Sequence, residues 1–285
     1  MANTLKLTNT THLECVSLTA SATPNTRYAI LNSNSNYDRR IYGLAVTCND
    51  ANLQNIILYL NDGVADYQVS FTALSAQAGN TGVSPLDLQG NSLIAPILGK
   101  RLDVMGVSYF NLPKGWSFKA TYTGTQLGGI EKINFISYGE LYDGLTHKYT
   151  STPFQQTATF SNATGTTEKD LLSSVAYDRR VYGIAATSTD STARPITLYL
   201  KSGSISYLLY TVNILANSGN TTTIKNCDIF SDINGYSNAY FTKKYEPDGT
   251  YYFDLPAGWS IVGNLTSNVA IGFVITIKTI GDSYE

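Results

Sequence analysis

Histidine is almost absent: the 285-residue chain has only His12 and His147. Neither lies beside a nucleophile motif, which leaves little room for a Ser-His-Asp or Cys-His site. A Gly-rich phosphate loop, zinc-ligand spacing and an EF-hand loop are also missing. The three cysteines, Cys15, Cys48 and Cys227, are odd in number and widely spaced, so they read as small buried residues rather than as a disulfide or zinc site. No cofactor or metal is expected, and neither is enzymatic activity.

Charge is scarce as well. Only 14% of residues are charged, the net charge is -2, and no basic run occurs. Nucleic acid is therefore not an expected partner, because neutralising phosphates takes clustered Lys and Arg. Apolar runs such as Val269–Ile277 are too short to span a bilayer, and the amino end "MANTLKLTNTTH" has no apolar signal core. These features predict a soluble chain made in the cytoplasm, without a membrane partner or a cleaved leader.

What the chain does have, it has twice. "YDRRIYGLAVTCND" at Tyr37–Asp50 recurs as "YDRRVYGIAATSTD" at Tyr177–Asp190, and 14 of the 27 positions from Tyr37 to Gly63 match Tyr177 to Gly203. Gly79-Asn80-Thr81 returns as Gly219-Asn220-Thr221. Leu112-Pro113-Lys114-Gly115-Trp116 returns as Leu255-Pro256-Ala257-Gly258-Trp259, and Tyr138–Tyr142 loosely matches Ile280–Tyr284. A repeat of roughly 140 residues is the size of a whole domain and too long for a solenoid unit. The reading is two homologous domains, residues 1–143 and 154–285, joined by a short connector over 144–153.

The local pattern is β throughout. Leu5–Thr8, Leu13–Thr19, Ile41–Thr47, Ile56–Leu60, Tyr67–Leu74, Ser108–Leu112, Ser117–Thr123 and Lys132–Gly139 are short, rich in Val, Ile, Thr, Tyr and Phe, and punctuated by Gly, Asn, Asp or Pro. No window shows a sustained 3.6-residue apolar stripe. About eight strands per unit predict an all-β protein of two tandem β-sandwiches of jelly-roll type. In Tyr37–Thr47, strict alternation would put Ile41, Gly43, Ala45 and Thr47 on one face and Tyr42, Leu44 and Val46 on the other. Both faces are largely apolar, so this strand is expected to be central and covered on both sides.

The duplicated polar residues have structural and interface readings. Asp38, Arg39 and Arg40, with Asp178, Arg179 and Arg180, form a charged approach to the strand, predicted as an exposed corner with an intradomain Asp–Arg pair or as an intersubunit contact. Trp116 and Trp259 each follow a Pro-x-Gly turn and read as turn anchors, with sugar stacking as the alternative. Asp50 and Asp190 could form carboxylate or calcium sites, but their place after a strand favours a backbone-bonding turn. Glu246–Gly249 is expected to be a hairpin turn.

The run "DRRIYGLAVTCND…IILYLNDG", its copy "DRRVYGIAATSTD…ITLYLKSG", "LPAGWSI" and the closing "YGELYD" or "IGDSYE" resemble the small β-sandwich proteins of bacteriophage particles, found among capsid decoration and auxiliary head proteins. The resemblance covers most of both units and implies a virion location, other capsid proteins of the same particle as partners, homo-oligomers, and a role in decorating or stabilising a shell. It carries no catalytic residues. Two linked copies can also engage neighbouring sites on a lattice with raised avidity. Two alternatives stay open. One is a major capsid protein of the double-jelly-roll type, against which stand the high similarity of the halves and the lack of evident helices. The other is a glycan-binding tail or fibre module.

Overall fold

The computed structural model describes residues 5–8, 10–80, 83–88, 101–102, 106–142, 147–221, 224–230, 244–245 and 250–284. The chain divides into two compact units, one with Leu7–His147 as its body, the other with Lys148–Gly235 and Tyr245–Glu285. After β1 (Leu5–Thr8), the first unit is built from β2 (Thr10–Leu18), β3 (Tyr28–Leu31), β4 (Asp38–Cys48), β5 (Gln54–Asn61), β6 (Asp66–Leu74), β7 (Leu86–Asp87), β8 (Arg101–Leu102), β9 (Ser108–Leu112), β10 (Ser117–Thr123) and β11 (Ile133–Tyr142). The second repeats the series as β12 (His147–Ser161), β13 (Lys169–Leu172), β14 (Asp178–Ser188), β15 (Arg194–Ser202), β16 (Ile205–Ile214), β17 (Cys227–Asp228), β18 (Lys244–Tyr245), β19 (Tyr251–Leu255), β20 (Trp259–Leu265) and β21 (Val274–Tyr284).

Strand order identifies the fold. In the first unit one sheet runs β2-β11-β4-β9-β8, with β7 also on β4, and the other runs β3-β10-β5-β6. The second unit gives β12-β21-β14-β19-β18, with β17 on β14 and β1 beyond β12, and then β13-β20-β15-β16. Among the eight principal strands of each unit the first pairs with the eighth, the eighth with the third, and the third with the sixth. The second, seventh, fourth and fifth make the facing sheet. That order, antiparallel throughout, is the double Greek key of a jelly roll. The expected all-β, tandem jelly-roll architecture is the one observed.

Three features differ from the sequence reading. The stretch expected as a connector, 144–153, is taken into β12 from His147, and Ser151, Thr152 and Pro153 register against Tyr284, Ser283 and Asp282 of β21. Its Tyr and Thr residues suit a strand as well as a loop. The short strands β3 and β13 were not anticipated. The expected turn at Glu246–Gly249 lies outside the described residues.

The core of the first unit explains the remaining difference. Ile41, Leu44, Val46 and Cys48 of β4 all face it, together with Ile56, Leu58, Phe118, Tyr122, Ile133 and Phe135. Ile41 and Leu44 share a face because the β4–β11 register slips between Tyr138 and Gly139, leaving Tyr42 as an extra residue on β4. The same slip occurs on β14, where Tyr182 is the extra residue. A bulge of this kind reverses which residues point inward beyond it. Strict alternation therefore placed Ile41 on the wrong face. As expected, β4 is covered on both sides, for Ala45 and Thr47 on its outer face are as buried as Val46.

Candidate functional site

The two duplicated motifs meet at one corner of each unit. The Pro113–Trp116 turn closes with the Trp116 amide donating to the Pro113 carbonyl at 3.1 Å, and Gly115 sits at φ +81°, where a side chain would be strained. The Lys114 amide donates to Asp38 Oδ1 at 2.8 Å. Arg39 Nη2 donates to the Trp116 carbonyl at 2.8 Å. In the second unit the Trp259 amide reaches the Pro256 carbonyl at 3.2 Å, Gly258 has φ +80°, Ala257 donates to Asp178 at 2.8 Å, and Arg179 Nη2 donates to the Trp259 carbonyl at 3.0 Å. The aspartate holds the front of the turn and the arginine holds its back. This latch is why Asp-Arg and Leu-Pro-x-Gly-Trp recur together.

It also corrects the predicted corner. Asp38 and Arg39 turn to the backbone of the turn rather than to each other, and Arg39 is 1% exposed instead of lying at the surface. Burial lowers the pKa of Arg39 despite the Glu14 carboxylate nearby, and burial depresses Arg179 to about 10. In both, Nε has no hydrogen-bond partner among the described residues. Trp116 is half-buried against the first-unit core, and the Trp259 ring lies 5.9 Å from that of Tyr207.

Arg40 and Arg180 point to the outer face, where the two units diverge. Arg180 donates to Asp254 through Nε at 2.7 Å and Nη2 at 3.2 Å, and its guanidinium lies 3.6 Å from the Tyr252 ring centroid. Burial alone would lower its pKa, but the Asp254 carboxylate outweighs this and raises it well above the ordinary arginine value. In the first unit Asn111 occupies the register position of Asp254, and Arg40 stands 5.1 Å from the Tyr109 ring centroid.

Beside the first latch is a polar cluster that the sequence did not disclose. His12 Nε2 lies 3.7 Å from Glu14 Oε2, and Glu14 Oε1 accepts from the Asn32 amide at 2.9 Å. Burial, helped by Arg39, pushes the His12 pKa down to about 4. At the matching positions of the second unit, read from the strand registers, stand Phe154 and Gln156. Gln156 keeps the bond, accepting from the Ser173 amide at 2.9 Å.

Asp50 and Asp190 are turn residues, as predicted. Asp50 Oδ1 accepts from the Asn52 amide at 2.8 Å and Oδ2 from Gln54 at 2.6 Å. Asp190 accepts from the Thr192 amide at 3.0 Å, Arg194 at 2.8 Å and the Ala270 amide at 3.1 Å. Among the described residues no group of three or more His, Cys, Asp or Glu side chains could hold a metal ion. All three cysteines are buried thiols; burial raises Cys48 to about 11 and Cys15 well above its ordinary value, which disfavours the reactive thiolate. Also among the described residues, no helix is long and apolar enough to cross a membrane.

The second unit has a cleft of about 410 Å³ on the outer face of its larger sheet. Gly183 and Ala185 of β14 form its floor, Lys278 and Ile280 of β21 one side, and Asp228 and Tyr251 the other. The sequence signal was faint: the acidic, Tyr-rich run Tyr245–Tyr252 has no close counterpart in the first half.

No family model and no curated protein sequence matches the chain. Among solved structures it is similar to the PBSX exported protein XepA, with 9% identity, a TM-score of 0.25, and coverage of 99% of this chain and 88% of that one. It is similar to the major capsid protein P2 from bacteriophage PM2, with 10% identity, a TM-score of 0.25, and coverage of 96% and 98%. A chain of Sulfolobus turreted icosahedral virus gives 11% identity, a TM-score of 0.24, and coverage of 98% and 94%. At such TM-scores it is the strand order of the chain itself that identifies the fold.

Proposed function

We propose that this protein is a non-enzymatic structural component of a bacteriophage particle, binding the capsid surface to decorate or stabilise it. The carrying observation is that one chain holds the same jelly roll twice, with identical strand order and the same Asp-Arg latch on the same turn. Two rigid copies suit two neighbouring, nearly equivalent sites on a lattice, and tethering multiplies the strength of either contact. The buried arginines are committed to backbone carbonyls and to Asp254, which leaves them as scaffold rather than chemistry. Its partners are then the other capsid proteins and further copies of itself, within the virion.

The completeness of the jelly roll in both units favours a second reading, in which the chain forms the shell itself. The glycan reading loses support, because Trp116 packs on the core and Trp259 against Tyr207. To test this, purified chain is added to particles lacking it, and occupancy and rupture on heating are followed. Saturable binding that raises the rupture temperature supports decoration, because a ligand of the assembled state stabilises that state. Failure of shells to form without the chain establishes the second reading. Binding to host glycans but not to shells overturns both.

A further inference from the structure

The two latches are built alike but have different neighbours. His12 and Glu14 of β2 stand opposite Gly139 and Ser137 of β11, on the face that carries Phe135 and Ile133 into the core of the first unit. His12 Nε2 has no hydrogen-bond partner among the described residues, and Glu14 Oε2 is 3.7 Å away. Glu14 Oε1 is engaged by Asn32, whose backbone amide and Nδ2 both donate to it. Among the described residues the charged groups facing the ring are Glu14 and Arg39. Ser137, Asn32 and the Trp116 carbonyl are neutral, while Arg40 and Glu140, register partners on β4 and β11, lie on the opposite face. At the second latch Phe154 and Gln156 stand in the places of His12 and Glu14, and neither can titrate.

We propose that His12 is an acid-operated switch on the first latch: when its ring takes up a proton, Arg39 leaves the Trp116 carbonyl and the Pro113–Trp116 turn opens, while the second latch stays shut. With His12 neutral, the Glu14 carboxylate balances the buried Arg39 guanidinium. A protonated ring makes two cations for one carboxylate, and a buried charge without a counter-charge is strongly unfavourable. The ring can settle toward Glu14 Oε2. Arg39 is the group that yields, because among the described residues it holds the turn through Nη2 alone, with Nε unpartnered, and its long stem can carry the charge to water. Its departure removes the back of the latch and leaves the turn held only at the front, by Asp38 on the Lys114 amide. Burial, and then Arg39, lowers the pKa of the enclosed ring from 6.5 to about 4, so the open form binds the proton more tightly and falling pH favours it over that interval. The linkage amounts to a rise of up to ~300-fold in the opening equilibrium. The inference goes beyond the particle-binding reading and stands without it, since it concerns the purified chain alone.

Hydrogen exchange of the full-length chain, read by mass spectrometry, tests it, because segments 112–118 and 255–261 carry the two turns in one molecule. Their protection is taken as a ratio, in which the chemical dependence of exchange on pH cancels. Between pH 7 and pH 5 the protection of 112–118 relative to 255–261 should fall at least about tenfold. In His12→Phe, which installs the residue of the second unit, the ratio should stay constant. If that variant melts early, His12→Phe combined with Glu14→Gln, which reproduces the second unit's pair, replaces it. A ratio that is constant with pH in the parent, whether both turns stay protected or both loosen together, overturns the proposal. So does a ratio that still falls in the His12→Phe chain.

Discussion

A Cβ on Gly139 would stand 2.1 Å from the carbonyl oxygen of Arg40, and one on Gly281 would stand 2.0 Å from that of Arg180. The extra residue of each bulge pushes the preceding carbonyl toward the neighbouring strand, and only glycine leaves it room. The bulge and the glycine opposite it are one device, present in both units.

Gly139→Ala is expected to destabilise the protein by about 3 kcal/mol or more, because a backbone oxygen cannot swing aside as a flexible side chain can. Gly281→Ala should do the same. Gly129, where an added Cβ meets nothing within 4 Å, is the control and should change stability little. Denaturant unfolding of the three variants checks this, and equal midpoints for Gly139→Ala and Gly129→Ala would remove the argument.

This pair also shows what the sequence discloses and what it hides. The duplication, the strand runs and the Pro-x-Gly turns were legible because each is a local pattern. The bulge was not, since Tyr42 sits within an unbroken apolar run; the faint signal was that Gly139 and Gly281 recur beside the aligned strand. Arg39 read as a surface charge because its partner, the Trp116 carbonyl, is 77 positions away. The His12 cluster was hidden for the same reason, with Asn32 arriving from just beyond β3 and Arg39 from β4.

The two tryptophan side chains are half-buried. Trp116→Ala should accordingly cost about 2 kcal/mol, below the ~3–5 kcal/mol of a fully buried ring. Trp259→Ala should cost a similar amount. Thermal melts provide the measurement, and a Trp116→Ala variant of unchanged stability that no longer binds particles would reassign the residue to the interface.

The Arg180–Asp254 pair is buried, with Asp254 2% exposed. Asp254→Asn installs the residue that the first unit carries as Asn111, yet it leaves the Arg180 charge without its carboxylate. The expected loss is about 3 kcal/mol, since removing one partner of a buried pair strands the other. Unlike a surface ion pair, the effect should persist in high salt. A loss that vanishes in 1 M salt would show that the pair is effectively solvent-exposed.

His12 makes the first unit acid-labile. Its ordinary pKa of 6.5 is lowered to about 4, first by burial and then by Arg39, so between those values the unfolded chain takes up a proton that the folded chain refuses. Stability owed to this ring is unaffected above pH 6.5, declines as pH falls from 6.5 to 4, and changes no further below that. The whole decline amounts to roughly 3 kcal/mol. Glu14 faces the same ring at 3.7 Å and favours its charged form, but with Oε1 engaged by the Asn32 amide it does not offset burial. His12→Phe places there the residue that the second unit holds as Phe154, whose ring lies 5.8 Å from the Arg179 guanidinium. That variant should lose the His12 share of the difference in unfolding midpoint between pH 7.5 and pH 4.5, while His147→Gln should not. If His12→Phe keeps the full pH dependence of the parent, the ring is not the buried base that the geometry describes.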